Sequence, residues 1–166
     1  MHLLLARLSG ASRVIVSEVQ PVRRTQAHQS GADHAVNPQN QDLRQIVMDE
    51  SNGQGADVII VAAPSHAAQQ SALHLAAVRG RINFFGGLPK DRPLIESDSN
   101  AIHYKELHVT GTTGCSSSDC HQAASILDAG RIDLSPLVSH RFPLSEVQQA
   151  YETAQSQDAL KTIIQP

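Results

Sequence analysis

Residues 13–18, RVIVSE, set the reading of the whole chain. Val14, Ile15 and Val16 form a β-branched run without polar alternation, the pattern of a buried strand, and Glu18 closes it. Working backward, Leu4, Leu5 and Leu8 recur at near-helical spacing and Gly10 stands where a helix would stop. The apolar run Leu3-Leu4-Leu5 lies directly behind Met1, so the sequence opens inside what reads as a helix. Working forward, Pro21 suits a first helical turn and residues 21–31 run to a terminal glycine, Gly31. A brief strand at 32–36 precedes the breaker Asn37-Pro38. Leu43, Ile46 and Val47 then place one apolar stripe on a third helix, which ends in the glycine-rich SNGQG at 51–55.

The most hydrophobic stretch, ADVIIVAA at 56–63, again lacks alternation and reads as a strand covered on both faces, as parallel sheets require. Pro64 and Ser65 open an alanine-rich helix predicted through Val78, with Gly80 as its stop. RINFFGG at 81–87 supplies the next strand. The connection from Leu88 to Glu106, with Pro89 and Pro93, carries a short helix around Ile102. LHVTGTTG at 107–114 reads as a strand and SSSDCHQAASILDAG at 116–130 as a helix, with Ser118 as its N-cap and Gly130 as its stop. Strands alternate with helices of about 10–15 residues, the signature of βαβ units. After Ser135-Pro136 the rhythm changes. LVSHRFPL at 137–144 is an extended piece broken by Pro143, SEVQQAYETAQSQ at 145–157 a helix capped by Ser145 with Gln148 three residues on, and LKTIIQP at 160–166 a final strand. The expected boundary therefore separates 1–136 from 137–166.

The totals bound the function. At 166 residues, 40% hydrophobic and 17% charged, the chain fits a globular domain with a real core, packed by small aliphatic residues because it has only three Phe, two Tyr and no Trp. A net charge of −3 offers no field of the kind that draws nucleic acid or an anionic membrane. No apolar run approaches the ~20 residues that span a bilayer. The opening segment lacks a basic n-region, and Leu3 to Ala6 is shorter than the apolar core of a secretion signal, so a cytoplasmic location is expected. Cys115 and Cys120 are too few for a disulfide scaffold, and their spacing matches neither C-x-x-C nor a zinc knuckle.

In a dinucleotide-binding βαβ unit, a glycine-rich turn brings a helix N-terminus to the pyrophosphate, and an acid about 20 residues further on accepts the adenosine ribose hydroxyls. Glu18 closes its strand where that acid stands. The count back places the turn at, or just before, Met1. The expected fold is a doubly wound parallel sheet of Rossmann type whose first strand and glycine-rich turn are left off. Loss of that central strand would leave two inner edges unpaired and an apolar stripe exposed.

Six segments carry a family resemblance: GASRVIVSE (10–18) with Arg23 five residues after the acid, SGADHAVNP (30–38), GADVIIVAAP (55–64), GRINFFGGLPKDRP (80–93), IHYKELHVTGTTG (102–114) and GRIDLSPLVSHRFPLSEVQQAYE (130–152). In this order they resemble the zinc-dependent medium-chain alcohol dehydrogenases, in particular the sorbitol, polyol and threonine dehydrogenase branch. The resemblance implies the C-terminal, NAD-binding portion of an enzyme that oxidises a secondary alcohol, with 1–136 an incomplete Rossmann domain and 137–166 a strand-helix-strand tail belonging to the catalytic domain. It implies that Glu18 takes the ribose diol, which favours NAD over NADP because a carboxylate repels a 2′-phosphate. Arg23 would stack on the adenine. From position alone, Glu18 and Arg23 are equally a solvated surface pair.

The same resemblance assigns the nicotinamide side to Phe85, Gly86 and Gly87 and to Thr112, Thr113 and Gly114, largely through backbone groups, with Ala62, Ala63 and Pro64 lining the floor between the cofactor halves. An isolated Gly-Gly is more commonly the plain turn that ends a strand. The family's zinc is held by Cys, His and Glu side chains of the catalytic domain, and no ligands for it are expected here. Cys115, Cys120 and His121 do not fit a tetrahedral site, and His103 and His108 are five apart, not four. No G-x-S-x-G elbow marks a hydrolase. The chain alone is expected to be inactive, with a nicotinamide dinucleotide and, in the intact enzyme, a small alcohol as partners, and with a homo-oligomer contact through the sheet edge. A second reading is a non-catalytic nucleotide-binding or dimerisation remnant. A third, a zinc-free reductase relative, predicts NADP and draws on Arg23 and Arg24, but Glu18 argues against it.

Overall fold

The computed structural model describes residues 1–156 and 159–166. In chain order the elements are α1 (His2–Leu8), β1 (Ile15–Ser17), α2 (Pro21–Gln29), β2 (His34–Val36), α3 (Leu43–Glu50), β3 (Ala56–Val61), α4 (His66–Leu75), β4 (Ala76–Phe84), α5 (Ser99–Tyr104), β5 (His108–Gly111), α6 (Ser117–Asp128), β6 (Val138–Pro143), α7 (Val147–Gln155) and β7 (Lys161–Gln165). Every strand pair is parallel, as βαβ alternation demands. The chain forms two compact units, residues 1–41 with 116–166 and residues 42–115.

In the first unit β1 pairs with β2 in the register Ile15↔His34 to Ser17↔Val36, and α2 makes the crossover. Val36, 1% exposed, anchors the pair. The tail is a second strand-helix-strand piece, with β6 and β7 joined through α7, whose Ala150 is buried. Two predicted caps move. Ser116, not Ser118, caps α6: its Oγ accepts the Asp119 N–H at 3.2 Å, while Asp119 Oδ2 accepts the Ser116 N–H at 2.7 Å. This reciprocal box needs a carboxylate three residues on, and from Ser118 that position is His121. Ser145 does not cap α7 either. It sits within a 3-10 turn (Leu144–Glu146) that follows Pro143, and the N-cap is Glu146, without a side-chain bond. The predicted last residue of this helix, Gln157, lies outside the described residues.

The second unit is a three-stranded sheet in the order β3-β4-β5. Ile59, Val61, Ile82 and Phe84 lie on the face packed by Ala72 and Leu73 of α4 and by Ala101 and Ile102 of α5, and Ile82 is fully buried. The predicted helix through Val78 ends early, at Leu75. Ala76 is extended (φ −69°, ψ 142°), because Ala76 and Ala77 are drawn into the core, and burial outweighs alanine's helix propensity. Lys105 Nζ gathers the released carbonyls, donating to Ala76 O at 2.9 Å and His74 O at 3.2 Å. β4 then bulges: pairing passes from Ala56↔Ala76 to Val58↔Arg81, with Arg79 at φ 61° inside the bulge.

Among the described residues β1 pairs only with β2, and β3 only with β4, so each has one open edge. Val58 and Ile60 on β3 are 50% and 41% exposed, so this strand, read from its sequence as covered on both faces, is packed within its unit on one face only, the side of Ile59 and Val61. No helix among the described residues is long and apolar enough to cross a membrane.

Candidate functional site

Glu18 leaves β1 with its N–H on Val36 O at 2.9 Å, one residue past the last paired position. The carboxylate then folds back over the start of α2. Its Oε1 accepts the Gln20 N–H at 2.8 Å, while Oε2 lies 4.0 Å from Arg23 Nη1, at the outer limit of an ion pair. Glu18 is thus held by one oxygen and presents the other beside a half-exposed guanidinium. Arg24 does the local structural work that spacing alone did not reveal: its Nη1 donates to Glu18 O at 3.0 Å and Val19 O at 2.6 Å, fixing the backbone that carries the acid.

In the second unit the parallel register brings three turns onto one rim. Val61, Phe84 and Gly111 are paired neighbours at the strand ends, so Ala62-Ala63-Pro64, Phe85-Gly86-Gly87 and Thr112-Thr113-Gly114 leave the sheet side by side. Phe85 N and Gly86 N both donate to Val61 O, at 3.1 and 2.8 Å. Asn83 ties the third turn in: its Nδ2 donates to Thr110 Oγ1 at 3.2 Å, and Thr112 Oγ1 donates to its Oδ1 at 3.1 Å.

The two glycines of Gly86-Gly87 differ. A Cβ on Gly86 would come within 2.9 Å of the Ala62 carbonyl group and the Ala63 carbonyl carbon, so its missing side chain serves the chain's own close approach. Around Gly87 there is open space, as there is around Gly114, which has φ 67°. Behind the rim lies a residue the sequence reading did not single out. Gln69, on the buried face of α4 and only 5% exposed, donates from Nε2 to Gly86 O at 3.0 Å. The available signal was a polar side chain on the stripe of Ala72 and Leu73, since a buried polar group is the informative exception.

Zinc does not fit this chain as described. Among the described residues no group of three or more His, Cys, Asp or Glu is placed to hold a metal ion. Cys115 and Cys120 are exposed, one before α6 and one within it. No step involving a metal is derived from these residues.

Parallel strands joined through helices, with turns gathered at their C-terminal ends, define an α/β protein of Rossmann type. Comparison with known proteins narrows the class: the family model for zinc-binding dehydrogenases matches residues 1–129, and the chain belongs to that family. It is 29% identical over 168 aligned positions to an L-threonine 3-dehydrogenase of Thermococcus kodakarensis, covering all of this chain and 47% of the relative. A sorbitol dehydrogenase of Halalkalibacterium halodurans is 28% identical over 145 positions, 87% of this chain and 42% of the relative. Among solved structures, a provisionally assigned zinc-binding dehydrogenase from Sinorhizobium meliloti 1021, bound to NADP, superposes with a TM-score of 0.88 at 26% identity, over 99% of this chain and 48% of that one. The chain therefore spans under half the length of these relatives.

Proposed function

We propose that the chain is the NAD-binding part of a zinc-dependent dehydrogenase that oxidises a secondary alcohol of a polyol, sugar alcohol or amino alcohol. The observation that carries this reading is Glu18: an acid at the C-terminal end of a parallel strand, with one carboxylate oxygen anchored to Gln20 N–H and the other turned to Arg23. In the proposal, that second oxygen accepts the ribose hydroxyls and Arg23 stacks on the adenine. The turns Phe85-Gly86-Gly87 and Thr112-Thr113-Gly114 receive the nicotinamide, and Ala62, Ala63 and Pro64 line the floor. NAD supplies the hydride acceptor when bound.

In the same reading, 1–136 is the dinucleotide-binding domain and 137–166 the piece that belongs with a catalytic domain. The enzyme is cytoplasmic and pairs with copies of itself through an edge of its Rossmann sheet. The chain by itself is inactive, because zinc ligands are not found among its described residues. That last observation equally favours a second reading, a non-catalytic nucleotide-binding or dimerisation remnant. The two part on activity after fusion to a zinc-bearing catalytic domain: alcohol oxidation supports the first, and dinucleotide binding without turnover the second.

The test of the shared cofactor reading is affinity for NADH and NADPH, measured on the purified chain and on Glu18→Ala. Binding of NADH below millimolar, with NADPH weaker and the difference erased in Glu18→Ala, is the expected result. Equal affinity for both cofactors in the parent removes the role given to Glu18. The NADP found in the Sinorhizobium meliloti structure makes this comparison the discriminating one.

A further inference from the structure

We infer that Gln69 is a positioning residue for the nicotinamide side of the cofactor, acting by fixing the peptide between Gly86 and Gly87. The inference rests on the dinucleotide reading above and adds to it a side chain that touches no cofactor. Gln69 stands on α4 one turn before the core residues Ala72 and Leu73 and is only 5% exposed, where an amide is costly unless its hydrogen bonds are made. It meets that cost at one place on the rim, the Gly86 carbonyl, 3.0 Å from its Nε2. A buried helix thus grips the turn after β4 by a single directed bond.

The consequence follows from peptide geometry. No cis peptide bond occurs among the described residues, and in a trans peptide the C=O of one residue and the N–H of the next point in opposite directions. With the Gly86 C=O held inward by Gln69, the Gly87 N–H is turned the other way, outward from α4. No protein acceptor meets that N–H among the described residues, and the space beside Gly87 is open. Gly86 cannot relax to another orientation cheaply, since its own N–H is tied to Val61 O at 2.8 Å and the backbone of Ala62 and Ala63 leaves no room for even a Cβ beside it. The Gly87 N–H is then a pre-aimed donor for the carboxamide oxygen of a nicotinamide ring, and Gln69 is what aims it. A glycine-rich turn without such a tie would sample several peptide orientations and lose affinity to ordering on binding.

The experiment compares NADH with ADP-ribose, which keeps the adenosine diphosphate and lacks the nicotinamide, by calorimetry on the whole chain and two variants. Gln69→Leu removes the tie while preserving bulk, and Gly87→Pro removes the donor without altering α4. Circular dichroism establishes that each variant is folded, and Gly87→Pro carries the test if Gln69→Leu is not. The expected result is a loss of about tenfold in NADH affinity in each folded variant, the size of one lost hydrogen bond to a well-aligned donor, with ADP-ribose affinity within about twofold of the parent. The emission shift of bound NADH should shrink in parallel. A folded Gln69→Leu that weakens both ligands equally, or either folded variant keeping the parent's NADH affinity, overturns the inference and leaves the cofactor reading standing. A parent chain that binds neither ligand overturns both.

Discussion

Arg7, near the end of α1, and Asp33, at the entry to β2, are joined side chain to side chain at 2.5 Å. The guanidinium spends its other donors on four backbone contacts, two to Gly31 O at 3.2 and 2.8 Å and one each to Ala11 O and Ser12 O at 3.1 Å. Asp33 in turn accepts the Val14 N–H at 2.6 Å. One ion pair therefore holds the exit of α1, the approach to β1 and the start of β2, and so sets where Glu18 emerges.

Acid should loosen this clasp. The Asp33 carboxyl is held below its ordinary value, first by the Val14 N–H and then by Arg7. A depressed folded-state value means the group stabilises the fold above its unfolded value of about 3.9 and loses that contribution as pH falls through the folded value. Melting temperatures of the parent and of Asp33→Asn, followed against pH, should differ by a constant amount above about pH 5 and converge on further acidification. A gap that does not change with pH would deny the ionised carboxylate its part.

Lys105 closes the C-terminal end of α4 from outside the helix, with its ammonium on the His74 and Ala76 carbonyls. Lys105→Met keeps the stem and removes the donors. The expected cost is about 1–2 kcal/mol in urea unfolding, from carbonyls left without a charged donor at the negative end of a helix. An unchanged midpoint would mean that water replaces the ammonium without loss.

At Arg79 the bulge of β4 imposes φ 61° on a non-glycine residue, and its exposed ion pair with Glu106 at 2.8 Å is solvent-screened. Left-handed backbone costs roughly 1–2 kcal/mol outside glycine, while a surface pair returns at most about 1 kcal/mol. Arg79→Gly should be at least as stable as the parent, and Arg79→Val, β-branched at the same φ, clearly less so. Thermal unfolding of the three proteins orders them.

The two neighbouring rim glycines give opposite expectations. Gly86→Ala drives a methyl to within 2.9 Å of backbone atoms of Ala62 and Ala63, which cannot swing aside as a side chain would. A loss of about 1–3 kcal/mol is expected from that overpacking. Gly87→Ala meets nothing within 4 Å and should change stability by no more than about 0.5 kcal/mol. Equal losses at the two positions would contradict this division.

Much of the fold was legible where a strand is an unbroken apolar run and a helix ends in a glycine. RVIVSE and ADVIIVAA became β1 and β3, and Gly10, Gly31 and Gly130 each follow a helix with positive φ. What failed was local competition. Alanine-rich 76–77 reads as helix by propensity, yet the core and the Lys105 ammonium end α4 at Leu75. Ser116 and Ser118 are indistinguishable as caps until the carboxylate of Asp119 is counted against each. The rim turns could be found from strand ends alone, but Gln69 could not, since its role depends on a carbonyl 17 residues away that only the βαβ crossover brings near.

The capped helix α6 buries none of its residues. A twelve-residue helix with no buried residue lives near the margin of helix formation in water, so the Ser116–Asp119 box supplies a disproportionate share of what keeps it wound. Asp119 is held as a carboxylate chiefly by the Ser116 N–H, which makes that latch acid-labile. Its amide hydrogens should trade with deuterium ahead of those in α4, and proteases should find their first cut there.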